Sequence, residues 1–287
     1  MEYRIVDLTE EEAAYIGGQI NRIVPHEVDA DPEEFVLKVE NEDGEIIGGC
    51  IAEAYEYHWS RMFLDTLWVD EKYRHHGIGS MIIKEVERIA NEKNCRVVTL
   101  GTASFMARPF YEKHGYTVFT TLKKPNGYIS YSLVKYLDKK TPGYVPKDNS
   151  GERFKILSGN ECDADVIRDG IDAYSEAYEP EYERADFHRK LADKDGRFIG
   201  GIIADADRGF WGFIEAVFVE EPLRRQGLGT TLLQEAEKFA KENGASMVLT
   251  NAGDWNVGFF KKNGYLIRGE LKDVPEGHTC YELYKMI

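Results

Sequence analysis

What this sequence lacks narrows it before any motif is read. No run among its 287 residues approaches the ~18 apolar positions of a membrane helix, so no membrane span or membrane partner is expected. The start, Met1-Glu2-Tyr3-Arg4-Ile5-Val6-Asp7, has neither the basic flank nor the apolar segment of a secretory leader. A cytoplasmic protein is the expectation. Cysteine is scarce: Cys50, Cys95, Cys162 and Cys280 lie far apart with no C-x-x-C pair. Neither a zinc site nor a disulfide framework follows from that spacing, and four buried thiols and no metal are expected. Positive charge is also short, with 36 Lys and Arg against 51 Asp and Glu and a formal charge of −15. The deficit is even, −7 through residue 140 and −8 after it, so no basic lobe is available to a phosphate backbone. Nucleic acid is excluded as a partner; a field of this sign favours cationic small molecules or basic peptide tails.

What is present is a duplication. Gly44-Glu45-Ile46-Ile47-Gly48-Gly49 returns as Gly196-Arg197-Phe198-Ile199-Gly200-Gly201. Arg74-His75-His76-Gly77-Ile78-Gly79-Ser80 returns as Arg224-Arg225-Gln226-Gly227-Leu228-Gly229-Thr230. Phe110-Tyr111-Glu112-Lys113-His114-Gly115-Tyr116 returns as Phe259-Phe260-Lys261-Lys262-Asn263-Gly264-Tyr265. A period of about 150 residues is that of a whole domain. Pro142-Gly143, Pro146 and Ser150-Gly151 mark the joint, which predicts one domain over 1–140, a linker over 141–152 and a second domain over 153–287.

Periodicity supplies the same element order twice. Opening strands at 3–6 and 154–157 lead into helices that Thr9 and Asn160 can cap. Hairpins follow around Asp43-Gly44 and Asp195-Gly196, a strong turn signal. A further strand, 62–69 or 212–219, runs into the repeated glycine loop. Behind the loop Ile82, Ile83, Val86, Ile89 and Ala90 form one helical stripe, as do Leu232, Leu233, Ala236, Phe239 and Ala240. A fifth strand, a short helix and a final hairpin complete each half. The predicted fold class is α+β: a mixed, mostly antiparallel sheet flanked by helices, built twice.

The glycine loop carries the chemistry. A dinucleotide fingerprint needs a third glycine where Ile82 and Leu232 stand, and no G-x-x-x-x-G-K-[ST] string of a P-loop occurs. What remains is Arg-x-x-Gly-x-Gly at a strand-to-helix junction. Glycine lets backbone N–H groups approach an anion closely, and the helix start adds about half a positive charge. Such a cradle suits a diphosphate.

Arg74 to Gly79 and Arg224 to Gly229 resemble the acetyl-CoA-binding motif of the GNAT superfamily of N-acetyltransferases, Arg/Gln-x-x-Gly-x-Gly/Ala. Phe110 to Tyr116 resembles the same superfamily's Phe-Tyr-x-Lys-x-Gly-Phe/Tyr segment. The resemblance covers nearly the whole chain as two tandem domains. It implies that acetyl-CoA is the cosubstrate, with its diphosphate held by backbone N–H groups of His76, Gly77, Ile78, Gly79 and Ser80 in the first repeat. In the second, Gln226, Gly227, Leu228, Gly229 and Thr230 would hold it, with Arg74, His75, Arg224 and Arg225 completing the loops. It also implies that the strand before the loop splays from its neighbour and bonds the pantetheine arm at Leu67 and Val69, or at Val217 and Val219. Ser104 stands where the family often has a cofactor-binding asparagine, and Tyr111 where it often has a tyrosine beside the thioester sulfur.

An amine attacks a thioester only when neutral, and a lysine-type amine at pH 7 must lose about 4.6 kcal/mol in deprotonation. A positioned base is the usual remedy. Asp65 and Glu215 hold matching places on the fourth strand of each half, where several family members carry a base; a solvated strand carboxylate is the alternative for either. A tyrosine hydroxyl can protonate the departing thiolate, a role open to Tyr111 if it is not simply a packing residue. Phe260 at the matching position has no such proton, which points to the first repeat as the main catalyst. The acidic stretch 27–34 and the cluster Tyr174, Tyr178, Glu179, Glu181, Tyr182 and Glu183 follow the first helix of each half, and the resemblance places them beside the acceptor pocket. Two readings stay open: transfer of acetyl to a primary amine, either a small cationic amine or a peptide amine, and a non-catalytic acyl-CoA-binding sensor or scaffold.

Overall fold

The computed structural model describes residues 3–23, 32–55, 60–124, 127–137, 153–176, 178, 183–207 and 210–287. The predicted linker 141–152 and most of the acidic stretch 27–34 lie outside them. In chain order the first repeat contributes β1 (Tyr3–Asp7), α1 (Glu10–Ile23), β2 (Glu33–Glu40), β3 (Ile46–Tyr55), β4 (Arg61–Val69), α2 (Ile78–Glu92), β5 (Val97–Ala103), α3 (Arg108–Lys113), β6 (Thr117–Lys123) and β7 (Ile129–Tyr136). The second contributes β8 (Lys155–Ser158), α4 (Glu161–Ser175), β9 (Arg184–Asp193), β10 (Phe198–Asp207), β11 (Trp211–Val219), α5 (Leu228–Glu242), β12 (Met247–Gly253), α6 (Val257–Lys262), β13 (Leu266–Lys272) and β14 (Thr279–Met286). Among the described residues no helix is long and apolar enough to cross a membrane.

The strands form two seven-stranded sheets, ordered β8-β2-β3-β4-β5-β7-β6 and β1-β9-β10-β11-β12-β14-β13. All neighbours are antiparallel except β4 with β5 and β11 with β12. The compact units differ from the sequential segments 1–140 and 153–287, because each sheet takes its first strand from the other repeat. One unit comprises residues 29–180 and 274–277, and the other residues 1–28, 181–273 and 278–287. Opening strand and first helix are therefore exchanged reciprocally, β8 and α4 for β1 and α1.

The exchange is possible because the two arms carry the same local chemistry. Asn160 caps α4 by accepting from the Asp163 N–H, while Asp163 accepts from the Asn160 N–H at 2.8 Å, a reciprocal box. Asp163 then bridges to Lys38 of β2 at 3.2 Å. At the start of α1, Thr9 and Glu12 make the same box, and Glu12 bridges to Lys190 of β9 at 2.5 Å. Ile167 of α4 packs with Ile51 and Ala164 in one small core, and Ile16 of α1 with Ala216 and Phe218 in another.

The main cores lie on the opposite sheet faces. Ile82, Ile83, Val86, Ile89 and Ala90 of α2 are buried there, and so are Leu232, Leu233, Ala236 and Ala240 of α5, with Phe239 partly buried beside them. The stripes predicted from period are thus the observed packing faces. Gly44 and Gly196 turn the hairpins at φ of 80° and 82°, values that favour glycine. Cys50, Cys95 and Cys280 are buried as expected, but Cys162 in the first turn of α4 is exposed, while Asp163 and Ala164 of that turn are buried against the sheet.

Candidate active site

The two glycine loops repeat each other in detail. After β4 the Asp70 side chain accepts from the Lys72 N–H at 2.9 Å and stiffens a short turn, Glu71–Tyr73. Arg74 folds back and donates through Nε to the Val69 carbonyl at 3.1 Å; Arg224 does the same to Val219 at 2.9 Å. His75 and Arg225 both take a left-handed φ of 66°, and Gly77 and Gly227 follow at 88° and 85°. Neither glycine offers its helix a side-chain cap, so the first N–H groups of α2 and α5, beginning at Ile78 and Leu228, are left for an external acceptor. The second glycine of each pair has another cause. A β-carbon on Gly79 would stand 3.1 Å from Cζ of Phe110, and one on Gly229 3.1 Å from Cζ of Phe259. Each motif therefore needs its first glycine for backbone conformation and its second for the approach of the short helix that carries Tyr111 or Phe260.

Upstream of the loops each sheet opens. The parallel pairing of β4 with β5 stops at Leu64 opposite Leu100, and that of β11 with β12 at Ile214 opposite Thr250. On the other edge of β4, Ala52 faces Leu64 and Ile51 faces Thr66, so Asp65 is the extra residue of a β-bulge. Glu215 is its twin, between Ile214 opposite Ala204 and Ala216 opposite Ile203. A bulge re-aims the side chain it carries. Both carboxylates are exposed, and Asp65 accepts from the Thr66 hydroxyl at 2.9 Å. The bulge shifts the alternation by one residue, but β4 carries apolar residues in both phases, so periodicity does not show it.

A cavity of about 560 Å³ fills the gap between β4 and β5. Of the residues named from the sequence, its wall brings together Asp65, Leu67, Val69, Arg74, His75, Gly77, Ile78, Gly79, Ser80 and Tyr111, and leaves His76 and Ser104 outside. The Ser104 hydroxyl instead accepts from the Ile129 N–H at 3.2 Å and pins the start of β7. Sequence reasoning missed Lys113 at the end of α3 and His114 just after it, although both stand in the third repeated motif. It also missed Ile171, and it noted Tyr174 without tying it to this wall. Those two side chains come from α4, on the opposite sheet face from α2, so the cavity runs through the sheet and is walled from both sides.

Tyr111 is buried, and burial, followed by the nearby Cys50 thiol, pushes its hydroxyl above the usual phenol range. Its ring lies 5.1 Å from Phe110 and 6.0 Å from Tyr116. Phe260 is equally buried, 5.2 Å from Phe259 and 5.6 Å from Tyr265. The two ring stacks match, and one hydroxyl distinguishes them. Beside Tyr111, His114 Nε2 lies 3.0 Å from the Ser80 hydroxyl, and burial lowers its pKa; Asn263 takes its place in the second repeat. In that repeat Val217 and Val219 pack against the core and Leu228 is buried. The loop residues Arg224, Arg225, Gln226 and Gly227 are exposed, and Gly229 and Thr230 partly so.

Residues 32–118 match the acetyltransferase (GNAT) domain, and residues 161–265 match the acetyltransferase (GNAT) family. The chain is similar to blasticidin-S acetyltransferase of Streptomyces morookaense, with 35% identity over 98 residues that span 33% of this chain and 70% of the relative. It is similar also to an acetyltransferase of Agrobacterium fabrum, 33% identical over 121 residues, or 42% of this chain and 88% of that protein. Among solved structures, an acetyltransferase from Bacillus cereus shares 37% identity with a TM-score of 0.41, covering 47% of this chain and 97% of its own.

Proposed function

Because this chain belongs to the GNAT family of acetyltransferases, we propose that the site between β4 and β5 moves the acetyl group of acetyl-CoA directly to a primary amine. One observation carries the reading: a single cavity joins the glycine loop, the bulged carboxylate of Asp65 and the buried hydroxyl of Tyr111. The diphosphate accepts from the free N–H groups at the start of α2, where the helix dipole favours negative charge. The pantetheine amides lie along the edge of β4 that β5 has left, at Leu67 and Val69. This directs the thioester into the gap, and the amine comes from the α4 side.

Asp65 takes a proton from the incoming ammonium, directly or through water. The neutral nitrogen attacks the thioester carbonyl, the carbon–sulfur bond breaks, the thiolate leaves, and the nitrogen, cationic after attack, gives its second proton to solvent to become the amide. Tyr111 protonates that thiolate. A phenol is protonated at neutral pH, as a donor must be, and the phenolate left behind recovers its proton from solvent. The acceptor is a small cationic amine or a peptide amine, on the strength of the −15 charge. Acetyl-CoA with a panel of amines, followed by release of free CoA thiol, tests the reading. Release that depends on both the amine and Tyr111 is expected, and a chain that binds acetyl-CoA yet releases no CoA with any amine returns the second reading, an acyl-CoA-binding module. Phe260 favours that second reading for the other unit, where the loop is kept and the acid is not.

A further inference from the structure

The structure assigns the acceptor end of the first repeat's site to the second repeat: Tyr174 of α4, with the rings gathered behind it, forms an aromatic wall for an amine that carries a flat ring. This rests on the catalytic reading above and names the class of its acceptor. Half-buried Tyr174 lines the cavity. Its ring carries the Arg74 guanidinium at 5.0 Å, and its hydroxyl donates to the Phe105 carbonyl at 3.2 Å. It thereby ties the glycine loop to the turn between β5 and α3. Beyond it, Phe105 and Tyr178 stack at 4.4 Å and 14°, and Tyr128 meets Phe105 at 4.9 Å and Tyr178 at 6.0 Å. Tyr178 remains 38% exposed at the outer edge.

Tyr174 at one end of the cavity, backed by three further rings outside its lining, offers apolar area at low entropic cost, and further rings prefer to pack on aromatic edges and faces. The cations that line the cavity, Arg74 and Lys113, stand on the cofactor loop and on α3. The carboxylate is Asp65, in the bulge between the two ends. An ammonium near Asp65 with its ring against Tyr174 satisfies both; a linear polyamine leaves the rings unused. Tyr174 is thus a specificity residue through its ring and a positioning residue through Arg74 and Phe105.

The test compares 2-phenylethylamine with 1,4-diaminobutane on the full chain and on Tyr174→Phe, Tyr174→Leu and Tyr178→Ala. A ring pair is worth roughly 2- to 10-fold, so the intact chain is expected to favour the ring-bearing amine by at least that factor in kcat/KM. Tyr174→Leu and Tyr178→Ala should each erase part of the preference by raising KM for 2-phenylethylamine, with little change for the diamine. Tyr174→Phe should keep the preference and raise KM for acetyl-CoA, since only the bond to Phe105 is lost. Equal use of the two amines, or preference for the diamine, overturns the proposal, as does a Tyr174→Leu protein with unchanged ring preference. Ligand-observed NMR of 2-phenylethylamine binding needs no turnover. Binding that Tyr174→Leu weakens supports the wall even if acetyl transfer fails, and binding indifferent to that substitution removes it.

Discussion

Ile167, in the second repeat, lies so close over Gly49, in the first, that a β-carbon on the glycine would stand 2.4 Å from its Cδ1 and 2.5 Å from the Leu37 carbonyl oxygen. The partner exchange repeats the contact, with a β-carbon on Gly201 2.6 Å from Ile16 Cδ1. The bare glycine backbone is the surface on which each exchanged helix seats. Gly49→Ala is therefore expected to destabilise the unit by ~1–3 kcal/mol through overpacking. A denaturant midpoint for Gly49→Ala equal to that of the unmodified protein would show that the helix has room to move.

Lys38 and Asp163 clamp the same helix to β2 at 3.2 Å. The Asn160 N–H and then, against the cost of burial, the Lys38 ammonium hold the Asp163 carboxyl below its ordinary value. The unfolded chain then binds more protons than the folded one as pH falls through that window. The stabilisation is complete above the ordinary carboxylate pKa and is lost as pH falls through the lower folded value. Asp163→Asn should accordingly lower the thermal midpoint at pH 7, and the gap to the unmodified protein should narrow in strong acid. A gap that stays constant down to pH 2 would assign the loss to something other than the charge.

Glutamate at Gly77 places a side chain where φ is 88° and a negative charge where the diphosphate is to bind. Calorimetry of Gly77→Glu should find acetyl-CoA affinity lost in that unit and turnover abolished. Gly227→Glu should leave most turnover in place. The reverse pattern would move catalysis to the other unit.

Tyr111→Phe reproduces the ring stack already present around Phe260 and removes only the proton. General acid assistance is typically worth 10²- to 10⁴-fold, so kcat should fall by roughly that range with acetyl-CoA affinity nearly intact. An unchanged kcat would leave Tyr111 as a packing residue. The converse, Phe260→Tyr, should raise turnover only if Glu215 and its loop are otherwise competent.

Much of this molecule is legible in its sequence. The duplicated motifs, the helix stripes and the hairpin glycines all sit where period and spacing put them, because each is fixed by neighbours within a few residues. Which sheet receives which opening arm is a different matter. Thr9 with Glu12 and Asn160 with Asp163 build equivalent caps, Lys190 and Lys38 offer equivalent partners, and Gly201 and Gly49 present equivalent seats. Local pattern is degenerate between the two arrangements, so the exchange is visible only in three dimensions. The link from Tyr174 to the glycine loop escaped for that reason: its ring serves a loop 100 positions earlier. The bulge at Asp65 escaped because β4 carries apolar residues in both phases, so its one-residue shift leaves no break in the pattern, and Ser104 stands outside the cavity wall with its hydroxyl accepting from the Ile129 N–H.

The register of β1 against β9 sets Tyr3 opposite Asp193. On a ribosome, that edge must wait for nearly two hundred further residues, about 10–40 s at ordinary synthesis rates of ~5–20 residues per second. Meanwhile β1 has a closer, sequence-compatible berth on β2 of its own repeat. The nascent chain therefore meets a choice between an early, self-contained closure and a late, crossed one, and long-range pairing of this kind forms slowly. Two copies of the chain could make the crossed closure between molecules instead of within one, so crowding on a polysome bears on whether each chain ends up entangled with itself or with its neighbour.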